Sequence, residues 1–241
     1  MHLALLDASL GTPHASRNFV REVDASLTTY QVNEGEMPPP IGAPPAERNG
    51  VPPVDGAIIS GSQSSVYDDR PWIQDLSRWV EGALADGLPL LGVCWGHQLL
   101  AQVLGGTVKG GNYELGYVSV HQEAADPIWD DIPDPFTVFA THSDHVVALP
   151  PDATLLASND TGVQAFRSGP AYAVQFHPEY DRTTAEAMIR SKDLPDADRQ
   201  AALDTCTPEA VAAARAPKRL FENFLDHVAA TRPTAASSLD A

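Results

Sequence analysis

Residues 88–106, LPLLGVCWGHQLLAQVLGG, constrain the fold more than any other stretch. An apolar run of strand length, LPLLGV, passes without a linker into a helical run, WGHQLLAQVL, that ends on Gly105-Gly106. Such a junction belongs to a parallel sheet whose strands are buried on both faces. Cys94 stands at the junction, between Gly92 and Gly96. A sharp strand-to-helix turn forces its central residue into strained backbone and brings neighbouring backbone close to the flanking positions. Glycine at both removes the collision. G-x-C-x-G therefore reads as a nucleophile elbow carrying a thiol.

The flanking chain agrees. HLALLDA (2–8) reads as a buried strand, and SRNFVREVDA carries Phe19, Val20 and Val23 at helical spacing. LTTYQV (27–32) suits a second strand and GAIISGS (56–62) a third that ends in a small-residue turn. Between them, residues 33–53 hold seven prolines and read as a surface loop. Asp69 and Pro71 open a predicted helix over about 72–86, with Trp72, Ile73, Leu76, Trp79 and Val80 on its apolar side. After residue 106 short strand-like runs follow in quick succession, predicting antiparallel strands before AYAVQFH returns to the central sheet. A helical segment, about 182–230, is expected to break near Pro195 and Pro208. The small polar residues 231–241 are expected to be a disordered tail. The fold expected is α/β: a flavodoxin-like three-layer sandwich, its central mostly parallel sheet carrying an antiparallel extension. One domain over 1–230 is expected, because the candidate chemistry draws on both halves.

Composition excludes some functions. Thirty-two acids against 15 bases give a formal net charge of −17, and the lysines are Lys109, Lys192 and Lys218 alone. Nucleic-acid binding needs a basic face, so none is expected. The scattered acids are read as adaptation to a salty cytosol, where screening weakens self-repulsion. No apolar run reaches the length of a membrane span, and the N-terminus lacks the pattern of a signal peptide. With two cysteines, Cys94 and Cys206, and no disulfide framework, a cytoplasmic location is expected. Cys206 has no elbow and reads as a partly buried spectator.

A free thiol has a pKa of about 8.5. A helix N-terminus is worth only about 0.3–1 kcal/mol, less than one pKa unit, so Cys94 needs a basic partner. Among eight histidines, His177 ends an apolar run and is followed by Pro178 and Glu179. In an extended chain, residues two apart point to one side. His177 can then take the thiol proton while Glu179 holds the far ring nitrogen, the order of a nucleophile–base–orienter triad. His142 and His145 have a spacing that mimics a metal pair, with His97 or His121 as a third ligand. Zinc sites need three or four convergent ligands, and no metal is expected. His97, one helical turn from Cys94, is assigned to packing or capping, and His2, His14 and His227 to the surface.

With the elbow and H-P-E in place, the chain resembles the class I glutamine amidotransferases, above all the stand-alone branch similar to the amidotransferase domain of GMP synthase. GAIISGSQSSVYDD, LLGVCWGHQLLAQVLGG, ELGYVSV, FATHSDHVVALP and QAFRSGPAYAVQFHPEY carry the resemblance, in the family's order, over about residues 56–180. It implies Cys94 as nucleophile, His177 as base and Glu179 as third member. It also implies an oxyanion hole from the Gly61-Ser62 turn and the amide of Trp95, a glutamine contact at Gln98, and a loop at Ser143 and Asp144 for the substrate's amino-acid end. Where the family often reads Gly-Gly-Pro, this chain has Gly61-Ser62-Gln63; either amide of the turn remains a candidate donor. The implied reaction is hydrolysis of glutamine to glutamate and ammonia through a cysteine thioester, with no cofactor. These residues contain no G-x-x-x-x-G-K-[ST] loop and no further domain to use ammonia. The expected partners are glutamine or another γ-glutamyl amide and a separate ammonia-using synthetase subunit. The competing readings are a γ-glutamyl peptidase or isopeptidase, and a non-catalytic partner subunit with this fold.

Overall fold

A computed structural model describes residues 1–11, 14–48 and 50–231, with the side chain of His14 excepted. The tail beyond Thr231 and the surface assignment of His14 lie outside the described residues. The described strands form one nine-stranded sheet in the order β2-β1-β3-β4-β9-β8-β7-β5-β6. Its first half is parallel: β1 (His2–Asp7), β2 (Ser26–Gln31), β3 (Gly56–Ile59), β4 (Leu90–Val93) and β9 (Ala171–Val174). This is the flavodoxin-like order. β3, β4 and β9 are buried along their whole length, as strands covered on both faces must be.

Alternate residues of these strands feed two cores. Leu3, Leu5, Ile58, Leu91 and Val93 pack with Phe19 and Val23, at and just beyond α1 (His14–Glu22), and with Phe221, Phe224 and Val228 of the C-terminal helix (Leu220–Thr231). Ala4, Leu6, Ala57, Ile59 and Leu90 face Ile73, Leu76 and Val80 of α2 (Pro71–Ala85) and Leu99 and Leu100 of α3 (Trp95–Val103). Both tryptophans of α2 pack against this second core, and Trp72 meets Trp95 at 5.3 Å between ring centroids. Val20 departs from the expected apolar face: it is 61% exposed. Phe19 and Val23, with the partly buried Ala15, face the core from this side, and the way α1 docks leaves Val20 on its outer face.

The antiparallel half is built from longer strands than the short runs suggest. β5 (Thr107–Gln122) and β6 (Phe136–Ala148) pair along most of their length, with register shifts between Gly110 and Glu114. Two runs that look separate, TVKG and GYVSVHQ, are thus one strand interrupted by an irregularity at its glycines. β7 (Thr154–Asn159) and β8 (Gly162–Ser168) return the chain to β9. The helical segment does break at Pro195 and Pro208. It gives α4 (Arg182–Ser191), α5 (Asp196–Asp204), α6 (Pro208–Ala213) and, after a 3-10 turn at Ala216–Arg219, α7 (Leu220–Thr231). α4 and α5 bury Ala185, Ile189, Ala202 and Cys206 against Phe139 of β6, so Cys206 is buried rather than partly exposed. No helix among the described residues is long and apolar enough to cross a membrane.

Candidate active site

The carboxyl ends of β1, β3, β4 and β9 open on one edge of the sheet, where open α/β sheets bind ligands. Cys94 leaves β4 with φ 55 and ψ −104, one of few non-glycine residues at positive φ. Its amide donates to the Val174 carbonyl at 2.8 Å, which ties the elbow to β9. A Cβ on Gly92 would lie 2.4 Å from the Gly96 carbonyl oxygen, and one on Gly96 would lie 2.4 Å from that of Ile59. Both are backbone contacts that cannot give way. The two glycines are therefore required by the closeness of β3, β4 and α3 at the elbow.

His177 is placed by β6: its amide donates to the Phe139 carbonyl at 2.8 Å. Its Nδ1 donates to Glu179 Oε1 at 2.7 Å, with both side chains buried. The route differs from the extended chain expected. Residues 178–179 form a turn, and the Tyr180 amide reaches back to the His177 carbonyl at 3.4 Å. The turn, stiffened by Pro178, puts the carboxylate under the ring. Tyr180 stacks on the imidazole at 4.3 Å, and Arg21 of α1 clamps the corner by donating to the Glu179 carbonyl (2.6 Å) and the Asp181 carboxylate (2.9 Å). Burial by itself lowers the His177 pKa; the Glu179 carboxylate and then the Cys94 sulfur outweigh it and hold the ring well above its ordinary value. Nε2 lies on the thiol side without an aligned hydrogen bond.

Gly61 leads out of β3 against this pair. A Cβ there would sit 3.1 Å from His177 Cε1 and 3.9 Å from Cys94 Sγ, so the position has little room for a side chain. Asp7, buried at the end of β1, accepts from the Ser60 hydroxyl, and Ser60 Oγ accepts the Ala8 amide at 2.9 Å. Trp95 is the first residue of α3, where backbone amides have no acceptor within the helix.

Cys94 borders two lobes. One, with Gly61, Ser62, His177, Glu179 and Met188, is about 60 Å³. The other, about 190 Å³, is lined by Ser62, Trp95, Gln98, Tyr113, Ser143 and Asp144. Gln98 Nε2 donates to the Asp144 carbonyl (2.9 Å) and to Gln175 Oε1 (3.1 Å). The Asp144 carboxylate accepts from Ser65 Oγ (2.6 Å) and Tyr67 Oη (3.1 Å). The structure thus brings all nine sequence-predicted residues to one cleft.

The histidines of the hypothetical metal set are committed elsewhere. His142 faces the Asp144 carbonyl through Nδ1 (3.1 Å) and Glu114 through Nε2 (2.9 Å), and His145 donates to the Asn112 carbonyl (2.8 Å). His121 lies on the surface beside Asp134. His97 donates to Gln175 Oε1 (3.1 Å) and packs on Phe166, a packing role; burial first and His142 second push it down to about 3, so the ring is neutral. Among the described residues, no cluster of three or more metal-ligating side chains is found. His2 and His227, expected on the surface, are half-buried: His2 bonds Thr28 Oγ1 (2.8 Å), and His227 sits edge-on to Tyr172.

Sequence reasoning gave no role to Glu114, Tyr113 or Lys192. Glu114 gathers His142, Asn159, Thr161 and Gln164 around one buried carboxylate. Burial would raise its pKa; the bond and charge of His142, with Asn159 and Thr161, hold it below the usual carboxylate range. Glu114 opens the quoted motif ELGYVSV, so a signal existed. Tyr113 and Lys192 had none, because they converge only through the pairing of β5 with β6 and the docking of α4.

The family Glutamine amidotransferase class-I matches residues 5–194. The glutamine-hydrolyzing GMP synthase of Pyrobaculum aerophilum is 40% identical over 132 residues, 54% of this chain; the match spans 25% of that protein's length. In Methanococcus aeolicus the relative is a single subunit of glutamine-hydrolyzing GMP synthase. It is 33% identical over 175 residues, covering 71% of this chain and 88% of the relative. The corresponding GMP synthase subunit of Halobacterium salinarum is 31% identical over 188 residues, covering 76% and 91%. The crystal structure of a glutamine amidotransferase from Thermotoga maritima superposes with a TM-score of 0.74 over 94% of this chain and 97% of that one, at 24% identity, and so shares the fold. With the family matched over most of its length, this chain belongs to the class I glutamine amidotransferases.

Proposed function

We propose that the protein hydrolyses the side-chain amide of glutamine to glutamate and ammonia. Cys94 is the nucleophile, His177 the acid–base group and Glu179 the residue that orients it. The observation that carries this reading is the Cys94 elbow at positive φ, beside a buried histidine whose far nitrogen is held by a buried carboxylate at 2.7 Å. The raised pKa of His177 favours the protonated ring beside Cys94, the state that stabilises negative charge on the sulfur as it attacks. The thiolate attacks the amide carbon in the cleft. The oxyanion is assigned to the Trp95 amide, at the first residue of α3, and an amide of the Gly61-Ser62 turn. His177 protonates the departing nitrogen, which leaves as ammonia, and a γ-glutamyl thioester remains on Cys94. Water, losing a proton to the same ring, hydrolyses the thioester to glutamate. Gln98, Ser143 and Asp144 line the lobe assigned to the amino-acid end.

Two of the relatives are single subunits of GMP synthase by name. By that likeness, the ammonia passes to a separate synthetase subunit. A second reading, a γ-glutamyl amide bearing a substituent on its nitrogen, is favoured by α4 and the residue after it, which bring Met188 and Lys192 to the cleft. The test is glutamate release from glutamine and from γ-glutamyl dipeptides by wild type and Cys94→Ala. Turnover of glutamine is expected in the wild type, with the variant reduced to background. Turnover of dipeptides alone selects the second reading. Equal rates in wild type and variant would remove Cys94 from the reaction.

A further inference from the structure

Lys192 ends α4 at the lip of the cleft and lines both lobes that meet at Cys94. Its main chain is fixed from two sides: its amide donates to the Ile189 carbonyl (3.2 Å), and its own carbonyl accepts from Arg199 of α5 (3.1 Å). The half-buried side chain lays its ammonium over the ring of Tyr113, 5.5 Å from the centroid. Tyr113 is itself tethered through its hydroxyl to Thr141 Oγ1 at 3.1 Å. No carboxylate among the described residues lies within ion-pair distance of this ammonium, and the aromatic face is its charge contact. The chain carries 32 acids and 15 bases, and at this cavity the Lys192 ammonium has the Tyr113 ring in place of a carboxylate. By contrast, Lys218 is paired with Glu22 at 2.6 Å.

The larger lobe has Asp144 and Lys192 in its lining, charges of opposite sign around one space of about 190 Å³. A free amino acid is a zwitterion, with an ammonium for one and a carboxylate for the other. We infer that Lys192 receives a carboxylate of the substrate and thereby determines which γ-glutamyl amides the site accepts. The proposal rests on the amide-hydrolase reading above. Two carboxylates have this chemistry: the α-carboxylate of the glutamyl group, which the placement of Asp144 favours, and a carboxylate on the amine side of a γ-glutamyl peptide. A compact ammonium on a flexible stem can leave the Tyr113 ring for either.

The experiment compares wild type, Lys192→Met and Lys192→Arg on glutamine, L-glutaminamide, γ-glutamylglycine and γ-glutamylmethylamide, at several KCl concentrations. In Lys192→Met, KM for glutamine is expected to rise about fivefold or more with kcat within about twofold, and Lys192→Arg to recover most of the loss. The KM of the wild type should climb with KCl more steeply than that of Lys192→Met, because only the former uses a screened charge pair. L-glutaminamide should be handled equally by wild type and Lys192→Met if the α-carboxylate is the ligand. A KM change confined to γ-glutamylglycine, absent with γ-glutamylmethylamide, assigns the amine-side carboxylate instead. Unchanged KM values throughout, or an equal rise with L-glutaminamide and glutamine, overturn the proposal.

If the wild type turns over none of these amides, the hydrolase reading fails and alkylation of Cys94 decides the role of Lys192. Iodoacetate carries a carboxylate and iodoacetamide does not. A lower iodoacetate-to-iodoacetamide rate ratio in Lys192→Met than in wild type supports carboxylate capture beside Cys94, and an unchanged ratio overturns it. Matching thermal melts of the variants confirm that each is folded.

Discussion

Glu179 accepts from His177 at 2.7 Å while the ring faces the Cys94 sulfur, so in the proposed reaction the carboxylate acts at one remove from the bond to be broken. Its negative charge raises the pKa of the imidazole. A neutral amide in its place lowers it, so the imidazolium loses its proton at a lower pH. In Glu179→Gln, kcat for glutamine should fall by about 10²-fold or more, and the alkaline limb of kcat/KM should move toward acid by about one unit or more. A limb that stays in place would show that Glu179 does not tune the ring. His97 behaves in the opposite sense. Held down to about 3 by burial and by His142, it stays neutral in the fold, whereas in the unfolded chain it takes a proton below about pH 6.5. Its contribution to stability is whole above that pH and is lost as pH falls toward 3. Melting temperatures recorded from pH 7 to 4 should therefore decline less steeply in His97→Gln than in wild type.

The elbow joins β3, β4 and α3, and at this scale the glycines are the exacting residues. Gly96→Ala places a carbon 2.4 Å from a backbone oxygen of β3, and no rotamer relieves it. The helix or the strand must shift, at a cost of about 3 kcal/mol or more. Urea unfolding should show that loss, and the shift moves the Trp95 amide with it, so glutamine hydrolysis should fall by more than the folded fraction predicts. Activity lost only in proportion to unfolding would mean that the elbow tolerates the shift. The opposite wall depends on α1 and α4, which meet at one corner: Arg21 holds the Glu179 carbonyl, and Asp181 caps α4 through the Thr184 amide at 2.7 Å.

Across the whole molecule, a net charge of −17 works against compaction in dilute buffer. Screening relieves that repulsion, since the Debye length falls from about 10 Å at 0.1 M salt to about 3 Å at 1 M. The expected outcome is a melting temperature that rises between 0.1 and 2 M KCl, with glutamine turnover retained in molar KCl. Full stability and activity at low salt, with loss in molar KCl, would contradict adaptation to a salty cytosol. The antiparallel half of the sheet has its own part at this scale. β6 carries the Phe139 carbonyl that seats His177, and β5 carries Glu114 and Tyr113, so strands outside the parallel half supply much of the cleft.

The elbow, the parallel strands and the order of the helices were legible in the sequence because each rests on local chemistry. Apolar runs of strand length, glycines flanking a cysteine and prolines at helix starts act within a few residues of themselves. Cys94, Gly92 and Gly96 are of this kind. Long-range pairing was not legible. TVKG and GYVSVHQ read as two strands because their glycines mimic a turn, and only pairing with β6 joins them into one. Val20 looked apolar and inward, and the angle at which α1 docks turned it to solvent. The turn that sets Glu179 under His177 replaced the extended chain that spacing alone implied. The sequence by itself determined the elbow cysteine and the sheet that presents it. The partners from distant strands, and the lysine that α4 sets at the lip of the cleft, were decided by tertiary structure, because contacts between residues far apart leave no periodicity for a sequence to show.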